Sequence, residues 1–331
     1  MTVSPNPFPN SMPEGYQVLA DEPVFDAARH LALEAPEKIW SLADFGYGDD
    51  VIAATPSPVA AAGPFRLLSD EGVEAVQMVC RDLRDVRRME EGQRTSAFVS
   101  GAVYRSRFLR DLTNSPDVAA FLSEVAGTRL LPHSMPSQQV YINYVPDDLS
   151  KAVDNWHVDS IGFDYVLMAS DPATLNGGRF EFFRGTMEQA ADLLGTQASE
   201  LTEGFADDLP AELVETINFP GPGYALFQQG HLVLHRATRL FEVAERITLV
   251  PGYVTADQSG GDPTKVERIT TWGEPGILAE LARHAAWQSG VKLESLIEQL
   301  TIADDPDAIV ASLRKATADI DRLIASLEKK N

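Results

Sequence analysis

The sequence predicts a mainly β protein with helical additions, and three observations carry that prediction. Between Gln139 and Val250, short segments rich in Val, Ile, Tyr and Phe are separated by Gly, Pro, Asn and Asp. The flanking regions instead show helix caps and apolar residues three and four apart. No strand–helix–strand alternation runs through the middle, so a sandwich or barrel is expected rather than a parallel sheet.

Residues 1–65 are Pro-rich, closing on Pro56, Pro58 and Pro64, and predict an irregular arm wrapped over the body. Ser69 caps a helix expected to run to about Arg88, with Val73, Val76, Cys80 and Leu83 on one face. A second helix has Ser115 as N-cap, Pro116 at its first position, the stripe Val118, Phe121, Leu122 and Val125, and Gly127 as its stop. Strands are expected over 139–144, 156–159, 165–168, 179–183, 224–227 and 246–250. One helix interrupts them at 186–194, where Thr186 and Gln189 form a capping box and Gly195 ends it.

The tail is helical from Asp305 and Pro306, with Ile309, Leu313, Ala316, Ile320, Leu323 and Leu327 spaced alternately four and three apart. This seam is compatible with a homodimer. Packing on the protein's own helices is the favoured reading, because about three heptads is near the shortest length that argues for a coiled coil. The expected division is an arm over 1–65, a β domain with N-terminal support helices over 66–260, and a C-terminal helical extension over 261–331.

Bulk composition narrows the function. The 331 residues are 44% hydrophobic, enough for a sizeable core. A formal charge of -22, from 49 acidic and 27 basic residues, repels phosphate backbones and anionic membranes. A single cysteine, Cys80, allows neither an intrachain disulfide nor a thiolate metal site. With no charged start leading into an apolar stretch, and no apolar run long enough to span a bilayer, a cytoplasmic location is expected.

His157 and Asp159 stand two apart on an expected strand, so imidazole and carboxylate share a face and can point at one ion. Alone, such a pair reads as a histidine held by a neighbouring acid. Downstream, however, His235 offers a third ligand, and Arg246 follows it with Thr248 two residues on. Two histidines and one carboxylate on one face of Fe(II) leave three positions open for a bidentate keto acid and O₂. A guanidinium with a hydroxyl beside it suits the far carboxylate of a dicarboxylic co-substrate.

In these residues, and in Leu175-Asn176-Gly177-Gly178-Arg179-Phe180-Glu181-Phe182 between them, the chain resembles the Fe(II)/2-oxoglutarate-dependent dioxygenase superfamily over residues 137–255. The resemblance implies a double-stranded β-helix (jelly roll) with Fe(II) at its open end. It also implies that 2-oxoglutarate is decarboxylated to succinate as O₂ is used to oxidise a substrate. His157, Asp159 and His235 match the metal ligands, and Arg246 and Thr248 the clamp on 2-oxoglutarate. Tyr144 matches an aromatic that helps hold the co-substrate; Asn143 is its neighbour, and only one of the two should point inward.

Arg179 departs from the usual pattern after the Gly-Gly turn and reads as solvent-facing or as a contact for a substrate carboxylate. Retention of Asp159 argues against the halogenating branch. His231, four residues before His235, is its rival as third ligand, and otherwise reads as a residue behind the metal ligands, a substrate contact or a polar residue at the barrel mouth. Trp156 and Phe163 flank the motif as core aromatics or pocket walls. His30, His133 and His284 have no partners visible in the sequence.

The expected substrate is a small polar metabolite, such as an amino acid or natural-product intermediate, undergoing hydroxylation, desaturation or cyclisation. A protein or peptide hydroxylase and a non-catalytic metal-binding jelly roll are the alternatives. A cupin-type oxygenase or a zinc hydrolase fits the residues less well.

Overall fold

The computed structural model describes residues 3–89, 95 and 97–329. Among them, strands form two antiparallel sheets. The larger runs Lys38–Ser41, Val59–Arg66, Tyr224–Gln228, Phe163–Met168, Ile247–Val250, Tyr141–Tyr144, Ala97–Val99, Arg88–Met89. Gly252–Thr255 joins it against Phe163–Met168, and Leu130–Pro132 pairs with Gly252–Thr255. The smaller sheet runs Val214–Ile217, Phe180–Phe183, His235–Ala237, Asp154–His157.

The eight strands from Tyr141 to Val250 visit the sheets in the order large, small, large, small, small, large, small, large. Each face-crossing buries residues between the layers. Val166, Met168 and Leu226 of the large sheet meet Phe180 and Phe182 of the small one. Glu181, between those phenylalanines, turns outward and accepts from Arg236 Nε at 2.8 Å. That inside–outside alternation is what a half-buried strand requires.

The caps read at Ser69 and Thr186 are made, whereas Ser115 stands at the N-cap position of Pro116–Ala126 without a side-chain capping bond. Ser69 Oγ accepts from Gly72 N at 3.1 Å at the start of the Asp70–Asp82 helix. This helix stops short of the expected Arg88: a single 3₁₀ turn, Arg84–Val86, leads into strand Arg88–Met89. Pro116–Ala126 ends at Gly127 (φ 66°), and both halves of the Thr186–Gln189 capping box are made. Helices Ile277–Gln299 and Pro306–Glu328 pack together, with Leu323 buried beside Ile277, Leu281 and Ala285 and with Ile320 and Leu327 against that cluster. Much of the heptad-like seam is therefore covered within the chain, while Leu313 stays 44% exposed.

The expectation of an irregular arm over 1–65 needs correction. Lys38–Ser41 and Val59–Arg66 are strands of the large sheet, and the expected boundary falls inside the second. The run Val59-Ala60-Ala61-Ala62-Gly63-Pro64 has weak intrinsic strand preference. Burial decides instead, since Ala60 and Ala61 pack in one core cluster and Ala62 and Phe65 in another. Among the described residues, no helix is long and apolar enough to cross a membrane.

Candidate metal centre and its cavity

The small sheet builds the centre through one cross-strand pair. His235 is the register partner of His157, which brings their ring centroids to 4.2 Å. Asp159 lies just past the end of its strand, fixed by its backbone N–H donating to Gly230 O at 2.8 Å. His157 Nε2 stands 3.5 Å from Asp159 Oδ1, and His235 Nε2 stands 3.4 Å from Asp159 Oδ2. All three residues are buried, and their ligand atoms lie within 4.8 Å of one another. Glycine is required at position 230, where a Cβ would stand 2.5 Å from Asp159 Oδ2 and 2.3 Å from Asp164 Oδ2.

The second nitrogens set the tautomers. His157 Nδ1 faces Asn155 O at 2.6 Å and His235 Nδ1 faces Val233 O at 2.9 Å. A nitrogen facing a carbonyl carries the proton, so each Nε2 is left as a base directed at the carboxylate. Burial, reinforced by His157, pushes His235 down to about 4, which keeps it neutral at ordinary pH. Two imidazole Nε2 atoms and one carboxylate on one side of a cavity suit a divalent cation with open positions.

Arg246 lies on the same cavity, fully buried. Its Nε donates to Gly178 O at 2.7 Å and its Nη1 to Thr248 Oγ1 at 3.4 Å. Its Nη2 is buried with no hydrogen-bond partner among the described residues. Burial lowers its pKa to about 10 against the opposing pull of Asp154, so it remains a cation. A buried guanidinium with an unsatisfied edge is costly unless an anion fills that edge. The Gly-Gly turn makes room for it: Gly178 has φ 64°, and a Cβ there would lie 2.7 Å from Arg246 Cδ.

Asn143 shares this face, because it is the register partner of Thr248 and both line the cavity. Tyr144 points the other way, which corrects its expected role in holding the co-substrate. Its hydroxyl donates to Cys80 O at 2.6 Å within the core, as neighbours on a strand must face oppositely. Phe163, expected to line the pocket, is likewise in the core, stacked on Phe227 at 5.9 Å. Arg179 is exposed, and among the described residues it does not line the cavity. His231 sits in the turn before the His235–Ala237 strand, with Nδ1 3.0 Å from Gly162 O. That turn breaks the strand regularity that would have aligned it with His235. Trp156 packs in the core with Arg236 over its ring at 4.5 Å.

Several participants were not read from the sequence. Asp154 lines the cavity, accepts from Thr95 Oγ1 at 2.7 Å and places Oδ1 3.4 Å from His157 Nδ1. Gln228 Nε2 donates to Asp164 Oδ1 at 3.0 Å and lies 3.2 Å from His235 Nε2. A second group with metal-capable side chains, His133, Asp262 and His284, lies outside the cavity. Here His133 is hydrogen-bonded at both ring nitrogens: its Nδ1 accepts from Met135 N at 3.2 Å and its Nε2 faces Thr264 Oγ1 at 3.2 Å. His284 Nε2 lies 2.9 Å from Asp262 Oδ2 and its Nδ1 meets Ser134 Oγ.

No family model and no curated protein matches the chain. Among solved structures it is similar to the non-heme alpha ketoglutarate dependent carbocyclase SnoK of nogalamycin biosynthesis (16% identity, TM-score 0.43, 66% of this chain and 88% of that one). It is also similar to the non-heme alpha ketoglutarate dependent epimerase SnoN of nogalamycin biosynthesis (17%, 0.41, 57% and 75%). A Pseudomonas putida prolyl-4-hydroxylase matches at 12% identity and TM-score 0.36, over 62% and 96%. At these identities the likeness concerns the fold alone.

Proposed function

We propose that the protein is a non-haem Fe(II) oxygenase that uses 2-oxoglutarate and O₂ to oxidise a small molecule. The observation that carries this reading is the partnerless Nη2 edge of Arg246, buried in the same cavity as His157, Asp159 and His235. A structural or sensing metal site has no use for a buried guanidinium kept short of an anion. The order in which the eight strands visit the two sheets supports a double-stranded β-helix, with the triad on the small sheet and its loop.

In this account His157, Asp159 and His235 hold Fe(II). Arg246 and Thr248 take the far carboxylate of 2-oxoglutarate, with the Asn143 amide beside them. When bound, Fe(II) and 2-oxoglutarate supply the oxidising chemistry, with O₂ consumed and succinate and CO₂ released. The chain's own contribution is positional and electrostatic. Asn155 O and Val233 O fix the imidazole tautomers, Gly178 O orients the guanidinium, and Val166 and Phe180 keep part of the wall apolar.

A small molecule is favoured over a polypeptide by the walls that Arg88, Thr95 and Phe98, and Arg268 with residues 271–274, add to the cavity. The test is succinate formation by Fe(II)-loaded protein, with 2-oxoglutarate varied. Arg246→Ala should raise the KM for 2-oxoglutarate, whereas an unchanged KM in both Arg246→Ala and Thr248→Ala would remove the clamp.

A further inference from the structure

The cavity, about 490 Å³, extends past the triad and the clamp. That is within the range of sites that enclose small organic ligands. Three aromatics line the added wall: Phe98 and Tyr141, with ring centroids 6.1 Å apart, and Trp272 from the C-terminal extension. One turn before Trp272, Arg268 also lines the cavity. Its Nη1 is held by Glu203 and by Thr202 Oγ1, but its Nε is buried without a partner among the described residues.

The carboxylates of this wall are committed. Arg88 forks onto both oxygens of Glu274 at 2.7 Å each, and Ser100 and Tyr16 donate to the same group. Glu203 pairs with Arg268, and Asp154 accepts from Thr95. An ammonium group entering beside Glu274 or Glu203 would compete with the arginine already paired there, an unfavourable exchange.

We infer that the substrate has a flat, ring-bearing apolar body packed on Trp272, Phe98 and Tyr141, a hydrogen-bond acceptor facing Arg268, and no positive charge. The inference rests on the oxygenase reading only for calling this ligand the substrate. It narrows the class expected from sequence, since a free amino acid does not qualify. Rings bring large contact area at little entropic cost, and Arg268 Nε gains the acceptor it lacks.

The test is calorimetric titration of the full chain with three matched probes: 3-phenylpropanamide, L-phenylalaninamide, which adds an ammonium, and hexanamide, which lacks the ring. Mn(II) replaces Fe(II) and 2-oxoglutarate is saturating. The first probe should bind about tenfold or more tighter than either other, and Arg268→Gln or Trp272→Leu should each weaken it about tenfold. The Kd for 2-oxoglutarate should not move in these variants. Equal or tighter binding of L-phenylalaninamide, indifference to both substitutions, or no binding by any probe would overturn the inference. Repeating the titration without metal and co-substrate separates the two readings. Probe selectivity that persists in a protein unable to hold Fe(II) and 2-oxoglutarate would sink the oxygenase reading alone.

Discussion

Two clusters in this protein have the same composition, two histidines and one aspartate, and different character. In His157, Asp159 and His235, backbone carbonyls hold the Nδ1 protons and leave both Nε2 atoms facing the carboxylate across a cavity. His133, Asp262 and His284 lie outside the cavity, with His284 Nε2 2.9 Å from Asp262 and with Gln288 and Thr264 donating to both of its oxygens. The first arrangement leaves basic atoms for a ligand to satisfy. The second is a closed network that ties helix Ile277–Gln299 to the body. Residue type does not separate a metal centre from a structural tie; the cavity beside the side chains and the donors already on the carboxylate do.

The largest expected effect separates the two clusters by substitution. Asp159→Ala should abolish Fe(II) binding and succinate formation while the protein stays folded, as read by metal analysis and circular dichroism. Asp262→Ala should leave the metal stoichiometry unchanged yet destabilise the fold by about 3–5 kcal/mol, because it strands a buried partner. Loss of metal from the Asp262 variant under conditions where it is folded would erase the distinction.

Next in size is the clamp. Arg246→Ala should raise the KM for 2-oxoglutarate by the loss of a charge-assisted pair, about 1.5–3 kcal/mol or roughly 10–150-fold, with metal affinity preserved.

A pH effect follows from burial. Burial is the main cause that pushes His235 down to about 4 and His133 down to about 3, so both are neutral when folded. The unfolded chain takes up protons near the ordinary histidine pKa of about 6.5, so stability should fall as pH drops below that value. For His235 the loss continues to about pH 4, where the folded state also binds its proton. The melting temperature of the metal-free protein should decline over this interval, and His133→Gln should flatten the slope. A flat profile from pH 7 to 4 would contradict neutral burial.

The smallest effect tests strand parity. Tyr144→Phe should cost about 1 kcal/mol through its lost bond to Cys80 O and leave the 2-oxoglutarate KM alone. Arg179→Ala, at an exposed position, should change neither.

Local signals survived folding well. The caps at Ser69 and Thr186, the stop at Gly127 and the spacing of His157 with Asp159 depend on neighbours in sequence. The pairing of Asn143 with Thr248 was half legible: alternation required one of Asn143 and Tyr144 to face inward, but only the register with Ile247–Val250 says which. Strand Val59–Arg66 was hidden because alanines become strand only by being buried between layers. The closed cluster was hidden for a stronger reason: positions 133, 262 and 284 are far apart in the chain and meet only where helix Ile277–Gln299 packs on the body. The pocket wall drawn from Phe98, Tyr141 and Trp272 has the same long-range origin.

The central claim is that Arg246 waits for the carboxylate of a keto acid whose other end reaches a metal at His157, Asp159 and His235. Anaerobic titration of the Fe(II)-loaded protein with 2-oxoglutarate tests it most directly, by the weak visible charge-transfer absorption of a chelated keto acid. The account predicts that this absorption grows to saturation at one equivalent in the wild-type protein and is lost or strongly right-shifted in Arg246→Ala. Iron bound with no such absorption at any 2-oxoglutarate concentration would contradict it.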